Sequence, residues 1–291
     1  MRIVFISGLC VFCLVIASHA ATSTINADHP YAYGANVGWI NARGDVTNGV
    51  VIGEYTCSGF LFGANIGWIS MGGGSPIDGI RYGNAAANDY GVNHDGSGGL
   101  SGFAYGANIG WIQFETNYGR PRVDLLTGNL SGYAYGANIG WISLSNAQAF
   151  VRTDTIQPGA DTNGNGIPDD WERDRAGNLT TLTSSNDYDN DTVLDPDEYR
   201  ADTDPMTLSD HLHVVDYDLQ GRSTSTVAWA SRPTRFYYIE KSDTLTNEAT
   251  WVDSGLGLQS PDAGTISLRQ FPDAGGPTRA YRVKAVRPLA P

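Results

Sequence analysis

Two acidic segments in the middle of the chain place oxygen-bearing side chains at the spacing that surrounds a divalent cation. The first spans residues 161–172 and fits the pattern D-x-[DN]-x-[DN]-G-x5-E at every constrained position. The second spans residues 187–198 and keeps the oxygen donors, with Thr192 where the first has Gly166. Hard oxygen donors suit calcium better than zinc or copper, which bind His and Cys. The sequence therefore predicts two neighbouring Ca2+ loops.

Such a loop takes its ligands from positions 1, 3, 5, 7, 9 and 12, the seventh through a main-chain carbonyl. The expected ligands of the first loop are Asp161, Asn163, Asn165, the carbonyl of Ile167, Asp169 and Glu172. Those of the second loop are Asp187, Asp189, Asp191, the carbonyl of Val193, Asp195 and Glu198. Thr192 occupies the sharp turn of the second loop, and a β-branched residue resists positive φ. The second site is therefore expected to bind more weakly.

The segments that follow the loops are too short for the helix pair of a full EF-hand. Residues 168–176 could form about two helical turns, and residues 196–201 one or two. Between positions 161 and 210 the sequence has fourteen Asp or Glu residues against three Arg. A segment so acidic would repel itself and stay disordered without bound cations.

Residues 161–210 resemble the bacterial thrombospondin type 3 repeat. They follow its units D-x-N-G-N-G-[IL]-x-D-x-W-E and D-x-D-x-D-x-[VL]-x-D-x-x-E-Y, and Asp202 stands where the closing Gly-Thr-Asp-Pro of the family has its Gly. The resemblance covers about one sixth of the chain and implies structural calcium binding, coupled to folding, in a secreted protein. A dockerin module, which would bind a cohesin, is an alternative, but its loops are normally followed by longer helices. An acidic linker without metal is a further alternative.

One phrase, of the form Gly-Ala-Asn-[VI]-Gly-Trp-Ile after an aromatic residue, occurs four times. The copies span residues 33–40, 62–69, 105–112 and 135–142. Their tryptophans are 29, 43 and 30 residues apart, so the unit has about 30 residues and one insertion, residues 72–99. Small and large residues alternate before the Ala-Asn pair, and aromatic and β-branched residues follow it. This pattern predicts one β-hairpin per copy.

The repeated aromatic residues allow two interpretations. A turn centred on residues 107–108 would place Tyr105 opposite Gly110. It would also place Ala104 opposite Trp111, so each ring would cover a small residue and fill a core between repeats. Alternatively the tryptophans are exposed and stack on sugar rings. The residues concerned are Trp39, Trp68, Trp111 and Trp141. The phrase resembles the G-Y-A-W-x-x-N-I-G-W-I-x-F repeats of secreted and surface bacterial proteins, which implies location and architecture.

Beyond residue 210 short apolar stretches alternate with turns. The stretches are residues 213–218, 224–229, 235–241, 251–255, 265–270 and 279–286. Six short strands in about 80 residues predict a β-sandwich, with Trp229 and Tyr281 as core anchors. The runs around these residues resemble a fibronectin type III-like module, which implies spacing, docking or recognition rather than catalysis.

The N-terminal sequence is typical of a secretory signal peptide. Arg2 precedes an apolar run over residues 3–17, and a small-x-small motif ends at Ala20. The apolar run is shorter than the roughly 20 residues that span a bilayer, so no membrane span is expected after cleavage. Beyond it Cys57 is the only cysteine, which leaves no intramolecular disulfide. The net charge of −13 argues against a nucleic-acid partner.

The sequence contains no G-x-S-x-G, no H-E-x-x-H and no phosphate-binding Gly-Lys-Ser loop. His211 and His213 could form a metal pair, but no third ligand is visible, and they are interpreted as histidines at a strand entry. The chain is therefore not expected to be an enzyme.

The sequence predicts a mainly all-β chain in four parts. These are the signal peptide 1–20, a β-hairpin repeat domain of solenoid or barrel type over 21–153, a calcium module with one or two short helices over 154–210, and a β-sandwich over 211–291. The expected function is that of a secreted, calcium-binding, non-enzymatic structural or adhesive protein of a surface or matrix. A polysaccharide or a cell-surface or matrix protein is the expected partner. Carbohydrate binding through the repeat aromatics and dockerin-like scaffold docking are the alternatives.

Overall fold

The computed structural model describes residues 22–114, 117–220, 223–244, 250–273 and 279–291. The predicted signal peptide, residues 1–20, lies outside the described residues. Within the described ranges the chain is mostly β-strand with two short helices, which confirms the predicted fold class. Neither of these helices has the length and apolar character needed to cross a membrane.

Fourteen strands lie in the described part of the chain before the two acidic loops. They are β1 Ile25–Gly34, β2 Gly38–Asn41, β3 Val51–Ile52, β4 Cys57–Ser58, β5 Phe60–Gly63, β6 Gly67–Ser70, β7 Val92–His94, β8 Leu100–Gly106, β9 Gly110–Phe114, β10 Arg122–Val123, β11 Leu130–Ser131, β12 Tyr133–Gly136, β13 Gly140–Ser143 and β14 Val151–Thr153. Each copy of the repeated phrase forms one hairpin: β1–β2, β5–β6, β8–β9 and β12–β13.

The four hairpins close into an eight-stranded barrel. Consecutive hairpins pair antiparallel through β2–β5, β6–β8 and β9–β12, and β13 pairs back with β1. A solenoid would leave its first and last repeats unpaired, whereas here they meet. Of the two architectures expected for the repeats, the structure has the barrel.

The hairpin turns are one residue longer than the sequence suggested. In the third copy the Ile109 N–H donates to the carbonyl of Gly106 at 3.1 Å, and Gly110 follows with a φ of 78°. This three-residue loop pairs Gly106 with Gly110 and Tyr105 with Trp111. The expected pairing of Tyr105 with Gly110 is therefore wrong. Because a slip of one residue exchanges the faces of a strand, the aromatic rings lie on the side opposite to that of the core.

The barrel interior is filled by aliphatic residues. Ile40, Ile69, Ile112 and Ile142 are buried there together with Ala32, Ala104 and Ala134, and the partly buried Leu61 packs against them. The four repeat tryptophans point outward and are 43–47% exposed. The expectation that they fill a core between repeats is therefore wrong, because the isoleucine that follows each tryptophan takes that role.

The recurring asparagines join each hairpin to the previous one. In every copy the side-chain amide donates to the main-chain carbonyl two residues before the tryptophan of the neighbouring copy. The bonds are Asn65 to Val37 at 3.0 Å, Asn108 to Ile66 at 3.1 Å, Asn138 to Ile109 at 3.0 Å and Asn36 to Ile139 at 3.0 Å. The last of these links the first repeat to the fourth, so the bonds form a ring around one end of the barrel.

Two helices follow the loops. They are α1 Asp169–Ala176 and α2 Asp195–Ala201, close to the two segments expected to be helical. Trp171 of α1 and Tyr199 of α2 are buried against one another with ring centroids 5.6 Å apart. Ile167 and Leu182 complete this small core, and Tyr55 reaches into it from the barrel between β3 and β4.

The last described region is a sandwich of two three-stranded sheets. Its strands are β15 Val214–Gln220, β16 Thr224–Ala230, β17 Phe236–Ser242, β18 Val252–Asp253, β19 Ile266–Pro272 and β20 Ala280–Val286. One sheet has the order β15-β16-β19 and the other β18-β17-β20. Trp229 is fully buried between them beside Tyr237, and Tyr281 is half-buried against Phe271. Both predicted anchors therefore pack at this core.

Candidate metal centre

The two acidic loops follow the same backbone path. Positive φ values occur at the fourth and sixth positions of each: Gly164 at 73° and Gly166 at 87°, Asn190 at 64° and Thr192 at 80°. Glycine adopts this conformation freely, whereas a β-branched residue in it costs on the order of 1–3 kcal/mol. The second loop therefore has the same geometry as the first, in spite of its threonine, at a cost in backbone strain.

The first carboxylate of each loop holds the turn in place. Asp161 Oδ1 accepts a hydrogen bond from the Gly164 N–H at 2.7 Å, and its Oδ2 accepts one from the Gly166 N–H at 2.8 Å. In the second loop, Asp187 Oδ2 accepts the Thr192 N–H at the same distance of 2.8 Å. These bonds orient both turns around the point where the remaining side chains converge.

The aspartates at position nine close the loops. Asp169 accepts the N–H of Thr162 at 2.8 Å and its hydroxyl at 2.7 Å. Asp195 accepts the N–H of Tyr188 at 3.0 Å with one oxygen and that of Thr183 at 2.9 Å with the other. Both oxygens of each carboxylate are therefore engaged with the polypeptide. Asp169 and Asp195 therefore also close their loops, and metal binding by these two residues stays a prediction.

The first loop satisfies its buried glutamate with amides. Glu172 is fully buried, and its two oxygens accept hydrogen bonds from Asn165 Nδ2 at 3.0 Å and Asn163 Nδ2 at 3.1 Å. Burial raises the pKa of Glu172 above its ordinary value, and the two amide hydrogen bonds act in the opposite direction. The expected ligands at positions 3, 5 and 12 are thus brought together, and they satisfy one another.

In the second loop the corresponding side chains are all carboxylates, and no amide among them can donate to the glutamate. The ligand atoms of Asp187, Asp189 and Asp191 lie within 4.8 Å of one another, and Glu198 of α2 is fully buried beside them. Asp189 Oδ2 and Glu198 Oε2 are buried without a hydrogen-bond partner in the described part of the chain. Burial, reinforced by the charges of Asp189 and Asp191, raises the pKa of Glu198 to about 8. Thr203 opposes this shift through its hydroxyl, which donates to Glu198 at 3.3 Å.

This arrangement fits a hard divalent cation. An unpaired carboxylate in a buried position loses its hydration without compensation, which costs several kcal/mol unless a cation or a proton is bound. The second loop offers the carboxylates of Asp187, Asp189, Asp191 and Glu198 and the carbonyl of Val193, which match the oxygen-only preference of calcium. The first loop offers two carboxylates, two amide oxygens and the carbonyl of Ile167, a donor set of the same type with less charge.

A histidine that the spacing did not assign to the loops lies beside the second one. His211 Nδ1 is 3.0 Å from Asp191 Oδ2, an ion pair when the imidazole is protonated. The ring also lies 4.6 Å from that of His213. Because this contact joins the second loop to a residue that lies beyond the module, no local pattern in the sequence pointed to it.

Asp202 joins the two helices to the sandwich. It ends α2 with a φ of 58°, and its carboxylate accepts hydrogen bonds from Trp171 Nε1 and from Arg175, each at 3.1 Å, and from the Thr234 hydroxyl. Burial opposes ionisation of Asp202, but the charge of Arg235 and these bonds hold its pKa below the ordinary value. The Asp202 side chain therefore supplies contacts that a glycine at this position could not.

Helix α2 also contacts the barrel. Arg287, after the last strand, donates to Glu54 of the barrel at 2.9 Å and to the hydroxyl of Tyr199 at 2.7 Å. The Tyr199 hydroxyl donates to Glu54 at 3.0 Å. Arg235 donates to the main-chain carbonyls of Tyr199 and Arg200, both at 2.8 Å. The helix that carries Glu198 is therefore bonded to both outer domains.

Comparison of the chain with protein-family models, with characterised proteins and with solved structures found no match. The resemblances to the thrombospondin type 3 repeat, to the surface-protein repeats and to the fibronectin type III-like module therefore stay predictions.

Proposed function

We propose that this chain is a secreted, calcium-binding, non-enzymatic structural or adhesive protein in which calcium rigidifies the link between two β domains. The observation that supports it is the pair of buried, unpartnered carboxylate oxygens in the second loop, on Asp189 and Glu198. They belong to a loop whose helix contacts the barrel on one side and the sandwich on the other.

Bound calcium would neutralise the carboxylates of the second loop. The residues that would hold it are Asp187, Asp189, Asp191, the carbonyl of Val193 and Glu198. Because Glu198 and Tyr199 are adjacent in α2, a shift of the glutamate away from the loop would move the tyrosine as well. The hydrogen bonds of Tyr199 to Glu54 and Arg287 would then be strained or lost. Metal binding would in this way be coupled to the position of the outer domains.

The first loop supports the same role at the other helix. Glu172 belongs to α1, whose Trp171 donates to Asp202 and packs on Tyr199. Two loops that each anchor one helix of a shared core suit a connector that is stabilised by metal. Extracellular modules of this type bind calcium with Kd values of about 10⁻⁴–10⁻³ M, which the concentration outside cells would fill.

The dockerin alternative receives less support from the geometry. Helices α1 and α2 have eight and seven residues. Arg235 and Arg287 of the C-terminal domain already bond Tyr199 and the main chain of α2. The contacts of the module are directed at the domains of its own chain, as a connector requires.

Calorimetry and small-angle scattering of the full secreted chain would test the proposal. We expect calcium to release heat, to raise the melting temperature and to narrow the distribution of interdomain distances. Glu198→Gln should remove most of these effects, because it deletes a charged ligand from the middle of α2. Asp197→Asn is the matched control, since it removes the same charge from an exposed neighbour that pairs with Arg200.

The proposal would be wrong if calcium produced neither heat nor a gain in melting temperature. It would also be wrong if Glu198→Gln and Asp197→Asn responded to calcium alike. A gain in melting temperature with no change in scattering would keep calcium binding and reject the role at the joint.

A further inference from the structure

The outer face of the barrel carries four aromatic clusters of the same design. In each hairpin the tryptophan contacts two aromatic rings of the partner strand. Its ring centroid lies 4.8–4.9 Å from that of the residue paired with it and 6.1–6.3 Å from that of the residue two positions earlier. All four tryptophans are partly exposed. Because the four clusters are alike, each can serve as a control for the others within one chain.

The third cluster differs from the others because the insertion, residues 72–99, folds over it. The ring of Tyr90 lies 5.0 Å from that of Trp111 and 6.2 Å from that of Tyr105, in both cases edge to face. In the described part of the chain, the other three repeat tryptophans contact only rings of their own hairpins.

The fold of the insertion turns the third cluster into a cleft of about 290 Å³. Its walls are Tyr90, Phe103, Trp111, Asn84 and the alanines at 85–87. A volume near the lower end of ligand pockets suits a single ring-sized unit rather than a large ligand.

The wall over Trp111 is held in a fixed conformation. Asn84 has a φ of 56°, its Nδ2 donates to the carbonyl of Tyr82 at 3.1 Å, and its Oδ1 accepts the Gly91 N–H at 3.1 Å. Asp89 accepts the N–H of Gly83 at 2.9 Å. A ligand would find this wall already ordered, which lowers the entropy cost of binding.

The chemistry of the cleft points to a neutral sugar. None of its lining residues is charged, and three of them present aromatic rings. The hydroxyl of Tyr90 makes no hydrogen bond to the described part of the chain and is free to bond a ligand. Ring faces beside a phenolic hydroxyl match a pyranose, which has an apolar face and hydroxyls at its edge. The net charge of −13 disfavours acidic saccharides.

We propose that the cleft lined by Phe103, Trp111 and residues 84–87, beside the ring of Tyr90, binds one pyranose unit of a neutral polysaccharide. The site lies on the barrel and includes no residue of the calcium loops, so it is independent of the function proposed above. Saccharide binding is thus expected only at the third repeat, because only this repeat carries the insertion that forms the cleft.

Affinity electrophoresis of the calcium-loaded full chain would test this inference. The gels would contain neutral glucan, mannan, galactan or xylan, with polygalacturonate as the acidic comparison. We expect retardation by at least one neutral polysaccharide and none by polygalacturonate. Trp111→Ala should weaken the interaction by about tenfold or more, because it removes the stacking platform. Trp141→Ala removes an equally exposed tryptophan from a repeat without the wall and should leave binding unchanged within about twofold.

A second variant keeps the test decisive if Trp111→Ala does not fold. Ala86→Glu places a carboxylate in the cleft from an exposed loop position and removes no ring, so it should abolish retardation without lowering the melting temperature. Equal losses in Trp111→Ala and Trp141→Ala would overturn the inference, as would retardation by the acidic polysaccharide alone or by none of the panel. Each of these results would leave the calcium proposal standing.

Discussion

The two acidic loops have the same backbone conformation but differ in the groups that surround their buried glutamate. In the first loop two asparagine amides donate to the buried Glu172. In the second loop the corresponding positions are Asp189 and Asp191, which add negative charge beside the buried Glu198. The first loop can therefore satisfy its polar groups without a metal, whereas the second cannot.

The two loops therefore differ in two properties that can affect calcium affinity: the backbone strain of the turn and the number of carboxylates. The glycine at the sixth position of the first loop gives a relaxed turn, and Thr192 gives the second loop a strained one. Charge has the opposite effect, since additional carboxylates strengthen calcium binding. The sequence predicted the weaker site from the turn alone. The additional carboxylates are a competing reason to expect that the second loop binds calcium more tightly than the first. The variants described in the following paragraphs distinguish these two rankings.

Removal of calcium should have the largest effect. A ligand at 100 times its Kd stabilises the folded state by about 2.7 kcal/mol per site, so chelation should lower the melting temperature markedly. Differential scanning calorimetry with and without chelator measures this change. If the second loop dominates, Glu198→Ala will abolish most of the calcium-dependent gain and Glu172→Ala will abolish little of it. The reverse order would support the ranking by turn residue.

The pH dependence of the chelated protein should be the next largest effect. The folded-state pKa of Glu198, about 8, lies above that of an unfolded glutamate, so the folded state retains a proton that the unfolded state has lost. Stability therefore falls as pH rises from about 4.5 to about 8, with a limiting slope of ~1.4 kcal/mol per pH unit. Thermal melts from pH 5 to 8 should show this fall. Glu198→Gln should flatten it, whereas a slope equal to that of wild type would assign it to other groups.

An exchange of charge between the loops should have an intermediate effect. Asn163→Asp with Asn165→Asp gives the first loop the carboxylates of the second and removes the two amide donors to Glu172. We expect tighter calcium binding, and a chelated protein that is less stable by about 1–3 kcal/mol for the unsatisfied carboxylate. Calorimetric titration and chelated melts measure the two quantities. An unchanged chelated stability would show that these amide bonds contribute little.

Relief of the strained turn should have the smallest effect. Thr192→Gly removes a β-branched residue from a φ of 80° and should stabilise the folded protein by about 1 kcal/mol. The reciprocal change, Gly166→Thr, should destabilise the first loop by a similar amount. Urea denaturation of both variants at saturating calcium gives these values. A destabilising Thr192→Gly would mean that the threonine makes contacts worth more than the strain it carries.

Local features of the fold were predictable from the sequence, and those that depend on long-range pairing were not. The segments expected to be helical lie close to α1 and α2, because loop ligands and helix starts are fixed by short spacing. Trp229 was identified as a core residue from its strand pattern. The register of the hairpins was missed because a two-residue and a three-residue turn fit the same letters, and the difference decides which face Trp111 occupies.

The candidate site was predictable as far as its ligands are local. The convergence of Asp187, Asp189 and Asp191 follows from their alternate spacing in one turn. The hydrogen bonds by which Asp169 and Asp195 also close the loops are not predictable from spacing, because a ligand and a closing carboxylate have the same residue type. The contacts of Asp202 and His211 join segments that lie far apart in the sequence, which spacing arguments do not reach.

The closure of the barrel has a consequence for synthesis. The bond from Asn36 to Ile139 spans 103 residues, and β1 pairs with β13 over a similar interval. A ribosome adds about 5–20 residues each second, so the first hairpin waits several seconds for its last partner. The exposed strand edges of the growing chain would meanwhile be open to pairing with other chains. A ring of repeats also has a fixed membership: a fifth copy could not be appended without opening the ring, whereas a solenoid would accept one at its end.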